Sequence, residues 1–255
     1  MKYIITVVAL LISMNCSAQT EEGNNDLPIE LDVQLKNMHY WRGYAVTTAP
    51  LLASSLYYQS PNDQWRIGFW GGMGFDGTYR EFDYFVSFQK GGFSAALWDI
   101  YNFSAPEITG RGFFDYSNRT TGHFLDLTLA YDFKEKLPFK LSASTILFGR
   151  DSRFTEPEPE VIFERTGDLR YTVYVEARYT VIDAASFQLQ VFLGGAFALS
   201  GASDTFYSSR NGINFVGLQY NKVLEIGKYK IPVHAIPAWN PDADHAYMEI
   251  GISLF

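Results

Sequence analysis

The sequence predicts an all-β fold, a transmembrane antiparallel up-and-down β-barrel of about twelve strands. Three observations predict it. Segments that alternate apolar and polar residues recur from residue 29 to the C-terminus. The connections between them are alternately short and long. Most segments have about ten residues or more, which exceeds the roughly five or six of a typical globular strand and suits the roughly nine to eleven of a tilted membrane strand.

The first eighteen residues have the features of a secretory signal peptide. A basic start precedes a short apolar run, and Cys16 and Ala18 occupy the minus-three and minus-one positions of a signal-peptidase site. We expect cleavage after Ala18, which leaves residues 19–28 as a periplasmic tail and residues 29–255 as the barrel. The alternative is a lipoprotein signal in which Cys16 is acylated. Both interpretations predict export.

The composition restricts the classes of function. Aromatic residues make up 17% of the chain, an excess that suits aromatic girdles at two membrane interfaces. A net charge of −8 argues against nucleic acid as a partner. Cys16 is the only cysteine and would leave with the signal, so the mature chain would have no disulfide, thiolate metal site or cysteine nucleophile. We expect no cofactor. No later apolar run is long enough for a transmembrane helix.

The alternating segments are the predicted strands. They lie at about 29–41, 51–59, 65–75, 80–89, 93–102, 122–133, 137–148, 169–181, 186–198, 212–223, 229–239 and 245–255. Short connections such as "SPNDQ", "KGG", "KEK", "IDAA" and "EIGKY" follow the even-numbered strands. Longer ones follow most odd-numbered strands: "YAVTTAPL", 103–121, 149–168 and 199–211. Tight periplasmic turns and larger external loops are typical of outer-membrane barrels, and an even strand number places both termini in the periplasm.

The segment "LRYTVYVEARYTV" (169–181) shows how the faces are assigned. Its odd positions are apolar or aromatic, and its even positions include Arg170, Glu176 and Arg178. An arginine on the lipid face at the bilayer midplane costs about 2–4 kcal/mol, a large part of a net stability of order 10 kcal/mol. We therefore predict that the apolar face contacts lipid and that the charged face lines the lumen. The alternation is too poor to assign faces in 51–59, 93–102 and 212–223.

The same reasoning gives a set of candidate lumen-lining residues. They are Arg42, Arg66, Glu81, Asp83, Asp126, Lys140, Arg170, Glu176 and Arg178. Charged, water-filled lumens are how porins select solutes, and about twelve strands leave more interior space than eight. We therefore predict a passive channel for small hydrophilic solutes, narrowed by the inward aromatic residues Trp70, Tyr174 and Phe192.

Three stretches carry a family resemblance: "NMHYWRGYAVTTAPLLASSLYYQS" (37–60), "RIGFWGG" (66–72) and "REFDYFVSF" (80–88). In this order they resemble the TorF-like porins, exported barrels of Gram-negative bacteria. The matching positions are Trp41, Arg42, Gly43, Pro50, Trp70, Glu81 and Asp83. The resemblance implies the same barrel architecture and an outer-membrane location, and it supplies no substrate.

The final strand ends in Phe255, a terminal aromatic residue that resembles the recognition signal for the barrel insertion machinery. The apolar face of this strand runs through Ile252 and Leu254, one residue out of phase with Phe255. The expected partners are therefore outer-membrane lipid, the insertion machinery and small solutes.

Other functions stay open at this point. A closed barrel could act as an adhesin or scaffold through loops 103–121 and 149–168, whose acidic "EPEPE" tip (156–160) is most simply a stiff, solvated segment. A lipid-modifying enzyme would use the rim histidines His39, His123 and His245, but no serine in a recognisable setting accompanies them, so we predict no enzyme. A soluble secreted β-sandwich would also show period-2 strands.

Overall fold

The computed structural model describes residues 28–104, 112–134, 136–154 and 164–254. The predicted signal peptide, all but the last residue of the predicted tail, the "EPEPE" segment and Phe255 lie outside the described residues. Within the described ranges, no helix is long and apolar enough to cross a membrane.

The described residues form sixteen β-strands. They are β1 (Ile29–Lys36), β2 (His39–Trp41), β3 (Tyr44–Thr47), β4 (Leu51–Gln59), β5 (Trp65–Gly74), β6 (Arg80–Lys90), β7 (Phe93–Asn102), β8 (His123–Asp132), β9 (Phe139–Gly149), β10 (Ser152–Phe154), β11 (Arg165–Leu169), β12 (Thr172–Ala184), β13 (Phe187–Ala198), β14 (Gly212–Ile226), β15 (Tyr229–Asn240) and β16 (His245–Ser253).

Twelve of these strands close into one antiparallel barrel, in the order β1, β16, β15, β14, β13, β12, β9, β8, β7, β6, β5 and β4. Consecutive barrel strands are neighbours, and β1 closes the ring by pairing with β16, with Gln34 opposite Ser253. This confirms the predicted up-and-down barrel of twelve strands. We call the end that carries the tight connections, such as the Gly91 turn, the short-turn end, and the opposite end the long-loop end.

The predicted alternation of faces is confirmed on the well-patterned strands. On β13, Leu193 is 46% exposed on the outer wall while Phe192 is buried inside the barrel. On β16, Ile250 is 49% exposed and the neighbouring Glu249 is only 3% exposed. Because side chains alternate across a strand, these two strands present one apolar face outward and one more polar face inward.

Two predicted strand boundaries are wrong. The strand expected at 29–41 ends at Lys36, and residues 39–47 form the separate β2–β3 hairpin, part of which was expected to be loop. The strand expected at 169–181 begins at Thr172 and runs on to Ala184. Arg170 therefore lies in the turn between β11 and β12, where Tyr171 adopts a left-handed conformation with a φ of 49°.

The strands with poor alternation carry apolar residues on both faces. On β4, Leu51 and Ala53 point inward and are buried against Val46 of the β2–β3 hairpin and against Tyr79. On β7, Ile100 belongs to a second buried cluster inside the barrel. Inward apolar residues occur in these strands because protein, rather than water, fills the barrel beside them.

Candidate functional site

The β2–β3 hairpin folds into the barrel and is the centre of the candidate site. Arg42 and Gly43 form its two-residue turn, with φ values of 50° and 89°. Positive φ at both positions is the conformation of a type I′ turn, whose twist suits a tight hairpin. A Cβ atom on Gly43 would lie 2.4 Å from the backbone oxygen of Asn214, so glycine is required at the tip.

Two asparagines hold the tip of the hairpin against the barrel wall. Asn214 Nδ2 on β14 donates to the carbonyl oxygen of Arg42 at 2.9 Å. Asn240 Nδ2 on β15 donates to the carbonyl oxygen of Gly43 at 2.6 Å. Both asparagines are almost fully buried. The turn carbonyls therefore have protein partners, as buried backbone groups require.

The Arg42 side chain extends from the tip to β8. Its Nη1 and Nη2 atoms form a bidentate pair with the carboxylate of Asp126, at 2.5 and 2.7 Å. Nη2 also donates to Thr128 Oγ1 at 3.0 Å, and Nη1 donates to the hydroxyl of Tyr207. The guanidinium lies 4.4 Å from the ring centroid of Trp41. Because Asp126 is only 1% exposed, this charge pair is buried and links opposite parts of the wall through the hairpin.

The base of the hairpin is held by Glu249 of β16. Its carboxylate accepts the backbone N–H of Tyr40 at 3.0 Å and lies 3.1 Å from His234 Nε2. Lys36 Nζ is 3.4 Å from the same carboxylate. Burial, helped by Lys36, lowers the pKa of nearby His39 to about 4, so the His39 ring is neutral at neutral pH.

The loop between β13 and β14 adds a second inward contact, near the long-loop end. Tyr207 is buried and packs edge-on against Trp41, with ring centroids 5.1 Å apart. The backbone N–H of Phe206 donates to Thr172 Oγ1 at 2.9 Å. Thr172 in turn donates to the buried carboxylate of Asp151 at 2.7 Å, both from its hydroxyl and from its backbone N–H.

Among the described residues, cavities lie beside these inward segments inside the barrel, and two of them are lined by the hairpin. The first, of about 350 Å³, lies beside β5–β8 and is lined by Trp70, Glu81, Asp83, Trp98 and Asn102 among others. The second, of about 290 Å³, lies toward β9 and β12–β16 and is lined by Ser144, Tyr174, Glu176, Arg178 and Phe192 among others. Trp41, Arg42 and Thr128 line both cavities, so the Arg42 link lies between them.

The predicted lumen-lining residues fall into three groups in the structure. Arg42, Glu81, Asp83 and Asp126 line the first cavity, and Arg42, Glu176 and Arg178 line the second. Arg66 and Lys140 are exposed and line neither cavity; Arg66 donates to Gln59 at 2.6 Å. Arg170 lies outside the barrel strands and pairs with Asp204 at 2.9 Å. A role in solute passage stays a prediction for every residue of this predicted lumen-lining set.

Several residues of the site carried no clear signal in the sequence. The hairpin anchors Asn214, Asn240 and Thr128 are uncharged and gave no charge pattern to follow. Trp41 was noted only through the family resemblance. One signal was available: "WRGY" places a glycine in a two-residue turn between short aromatic and β-branched runs, which is a hairpin pattern.

The rim histidines do not form one site. His39 lies in the hairpin inside the barrel, whereas His123 is on the outer wall, 0% exposed beneath the loop that carries Phe113 and Tyr116. There His123 Nδ1 lies 2.8 Å from Asp99 Oδ1, and Nε2 lies 2.5 Å from the Phe113 oxygen. His245 is exposed at the start of β16. Among the described residues, no group of three His, Cys, Asp or Glu could hold a metal ion.

The ion pairs of the β13–β14 loop predict that the stability of this loop against proteolysis depends on pH. A hydrogen bond from Arg153 and another from Arg170 lower the pKa of Asp204 to about 2. Because this pKa is depressed, the contacts stabilise the loop fully above the ordinary value near 4 and are lost as the pH falls toward 2. We expect pepsin to cleave residues 199–211 faster at pH 2 than at pH 4, relative to other sites. In Asp204→Asn the loop should be cleaved at similar relative rates at both pH values; an unchanged pH dependence would contradict this.

Comparison with known proteins gives weak structural likenesses. No protein-family model matches the sequence, and no curated protein matches it either. A structure described as "KdgM porin" has a TM-score of 0.45 at 7% identity, covering 88% of this chain and 96% of that chain. OccAB3 of Acinetobacter baumannii has a TM-score of 0.38 at 9% identity, covering 91% of this chain and 65% of that chain. OccK10 (OpdN) of Pseudomonas aeruginosa has a TM-score of 0.34 at 13% identity, covering 91% and 70%. At these scores we draw no argument from the likenesses, and the barrel assignment rests on strand pairing alone.

Proposed function

We propose that this protein is an outer-membrane channel for small hydrophilic solutes and that the β2–β3 hairpin is its constriction. One observation carries the proposal: a closed twelve-stranded barrel has an apolar outer wall and encloses two cavities lined by charged side chains. A soluble sandwich would bury its apolar faces against each other.

The outer wall has the chemistry that lipid requires. Large apolar residues are exposed on strand after strand, among them Ile67, Leu129, Leu193, Leu218 and Ile250. In water such a continuous surface would be a liability, since monomeric soluble proteins expose only small apolar patches. Closure of the ring also pairs the edge strands, as a bilayer demands.

The constriction explains why we propose small solutes. The hairpin and its Arg42–Asp126 link separate the interior into cavities of about 350 and 290 Å³. Both cavities present ionisable side chains: the acidic Glu81 and Asp83 in the first, and Arg178 paired with Glu176 in the second. A solute that passes must exchange its water for these groups.

Outer-membrane location, membership of the TorF-like family and recognition of Phe255 by the insertion machinery belong to the same proposal. They rest on the sequence features that suggested them. The channel needs no chemical step, and we propose no enzymatic activity.

A closed scaffold is the second candidate, and one observation favours it. Ile100, Phe124, Ile146, Tyr174 and Tyr207 form a buried cluster inside the barrel, with Trp41 and Phe206 packed against it. If this cluster seals the lumen, the exposed loops would carry the function.

Planar-bilayer recording separates the two candidates. We expect discrete conductance steps from the purified, heat-modifiable barrel. Arg178→Gln removes a positive charge from the second cavity and should shift the reversal potential in a KCl gradient toward cation selectivity; Glu176→Gln should shift it toward anions. Lys228→Gln, in the exposed turn between β14 and β15, is the matched control and should cause no comparable shift. A barrel that inserts and stays silent would support the scaffold.

A further inference from the structure

The first cavity contains an unusual concentration of tryptophan. Of the five tryptophans in the chain, Trp41, Trp70 and Trp98 line this cavity. The Trp70 ring lies over Gly72, where an added Cβ atom would be 2.7 Å from the ring atom Cη2. Gly72 is directly opposite Glu81 across β5 and β6, so the indole lies beside that carboxylate.

Two carboxylates lie among these rings. Glu81 and Asp83 are on the inward face of β6, and Asp83 is directly opposite Trp70 in the strand register. Asp83 accepts the backbone N–H of Tyr101 at 3.1 Å, and Glu81 accepts Asn102 Nδ2 at 2.6 Å. Both donors are uncharged, so neither of these contacts pairs a carboxyl group with a cation.

The other charged groups around the cavity are largely paired. Asp126 forms its bidentate pair with Arg42, and Lys36 pairs with Glu249. Arg150, which donates to the Asn102 carbonyl oxygen at 3.2 Å, is the remaining arginine of the lining. Two carboxyl groups, Glu81 and Asp83, therefore face one arginine in the lining, Arg150. The guanidinium of Arg42 already lies over Trp41, so one of the three indole rings holds a cation on its face.

We propose that the first cavity is a binding site for a compact organic cation, an alkylammonium or quaternary ammonium compound, held between tryptophan faces and the carboxylates of Glu81 and Asp83. Aromatic faces attract such cations electrostatically, and carboxylates in a water-poor site add charge pairing. The cavity volume of about 350 Å³ is at the lower end of small-molecule sites. The proposal deepens the proposed function, because it names the solute class for which the channel has a site.

Tryptophan fluorescence in detergent micelles tests binding without requiring conduction. Choline chloride is the probe, with sodium chloride at the same ionic strength and glucose as references. We expect a saturable fluorescence change with choline only. The double variant Glu81→Gln/Asp83→Asn should weaken choline binding by about tenfold or more, since it removes both charges and keeps the side-chain shapes. Glu225→Gln, an exposed charge change at the end of β14, should bind like the parent protein.

A second pair of variants keeps the test decisive if the double variant folds poorly. Trp70→Leu should weaken choline binding, whereas Trp239→Phe, on the exposed outer wall, should not. No saturable choline signal, an equal signal with glucose, or full binding by both cavity variants would overturn the proposal. Conductance of the same preparations in KCl is recorded in parallel: a conducting barrel without choline binding refutes only the cation site, and a silent barrel refutes the channel.

Discussion

Replacing Arg42 by serine is expected to raise the conductance of the barrel several-fold and to admit larger sugars into proteoliposomes. Arg42 supplies the bidentate link from the hairpin to Asp126 and also contacts Thr128 and Tyr207. Without it, the tip loses its side-chain link to β8 and keeps only the two asparagine contacts to its carbonyl oxygens, while Trp41, Val46 and the Glu249 contacts still hold the rest of the hairpin. Swelling rates of proteoliposomes with sugars of increasing size measure the opening directly.

The same substitution leaves Asp126 buried without its cation, which typically costs about 3–5 kcal/mol. The double variant Arg42→Ser/Asp126→Asn removes both charges, so it should recover part of the lost resistance to heat on gels while staying open to larger sugars. Arg210→Ser breaks an exposed loop pair with Asp242 and is the matched control, expected to change neither property. If Arg42→Ser kept the parental size limit, the hairpin would not be the constriction.

The barrel itself could be predicted because its strands and connections leave patterns among residues that are close together in the sequence. Alternation needs only neighbouring residues, and β12, β13 and β16 alternate cleanly because lipid and an aqueous or polar interior impose opposite demands on their two faces. Loop lengths predicted which connections lie at the same end of the barrel. In an antiparallel ring of consecutive strands, successive connections lie at opposite ends, so short and long connections alternate along the sequence. The alternation depends only on what each face of a strand contacts, and along most of the wall one face contacts lipid and the other the barrel interior.

The interior could not be predicted, because it depends on contacts between distant residues. The hairpin tip is held by Asn214 and Asn240, whose hydrogen bonds span 172 and 197 residues of sequence. Nothing in residues 37–50 indicates whether the loop turns inward or outward. The poor alternation of β4 was an indirect signal: Leu51 and Ala53 break the polar inward pattern because Val46 of the hairpin lies against them.

For the charged residues, the sequence predicted on which face of the strand they lie more accurately than it predicted what they contact. Asp126 and Glu81 point inward as expected, yet Asp126 is a structural partner of Arg42 whereas Glu81 faces a cavity. The rule that charges point inward also has an exception in Asp99, which lies on the outer wall near the long-loop end. Its carboxylate is satisfied by His123 and by the hydroxyl of Tyr116 at 2.5 Å, so a loop folded over the wall replaces the missing water.

Gly43→Ala is expected to displace the hairpin tip and to destabilise the barrel while opening it. The new Cβ atom would lie 2.4 Å from the Asn214 backbone oxygen, and alanine is strained at a φ of 89°. Backbone strain of this kind costs about 1–3 kcal/mol. The two asparagine hydrogen bonds to the tip would also be lost, at about 0.5–1.5 kcal/mol each. Urea unfolding in micelles and single-channel conductance measure the two effects.

Gly77→Ala separates backbone strain from the clash. Gly77 has a comparable φ of 75°, but nothing lies within 4 Å of its added Cβ atom, in the turn between β5 and β6. The free energy of unfolding of Gly77→Ala should therefore fall only by the cost of the backbone strain, and its conductance should equal that of the parent protein. If Gly43→Ala and Gly77→Ala behaved alike in both measurements, the tip of the hairpin would have no special contact with the wall. A larger loss of stability together with a larger conductance for Gly43→Ala alone is the result that a seated hairpin requires, because the clash acts only where the tip meets Asn214.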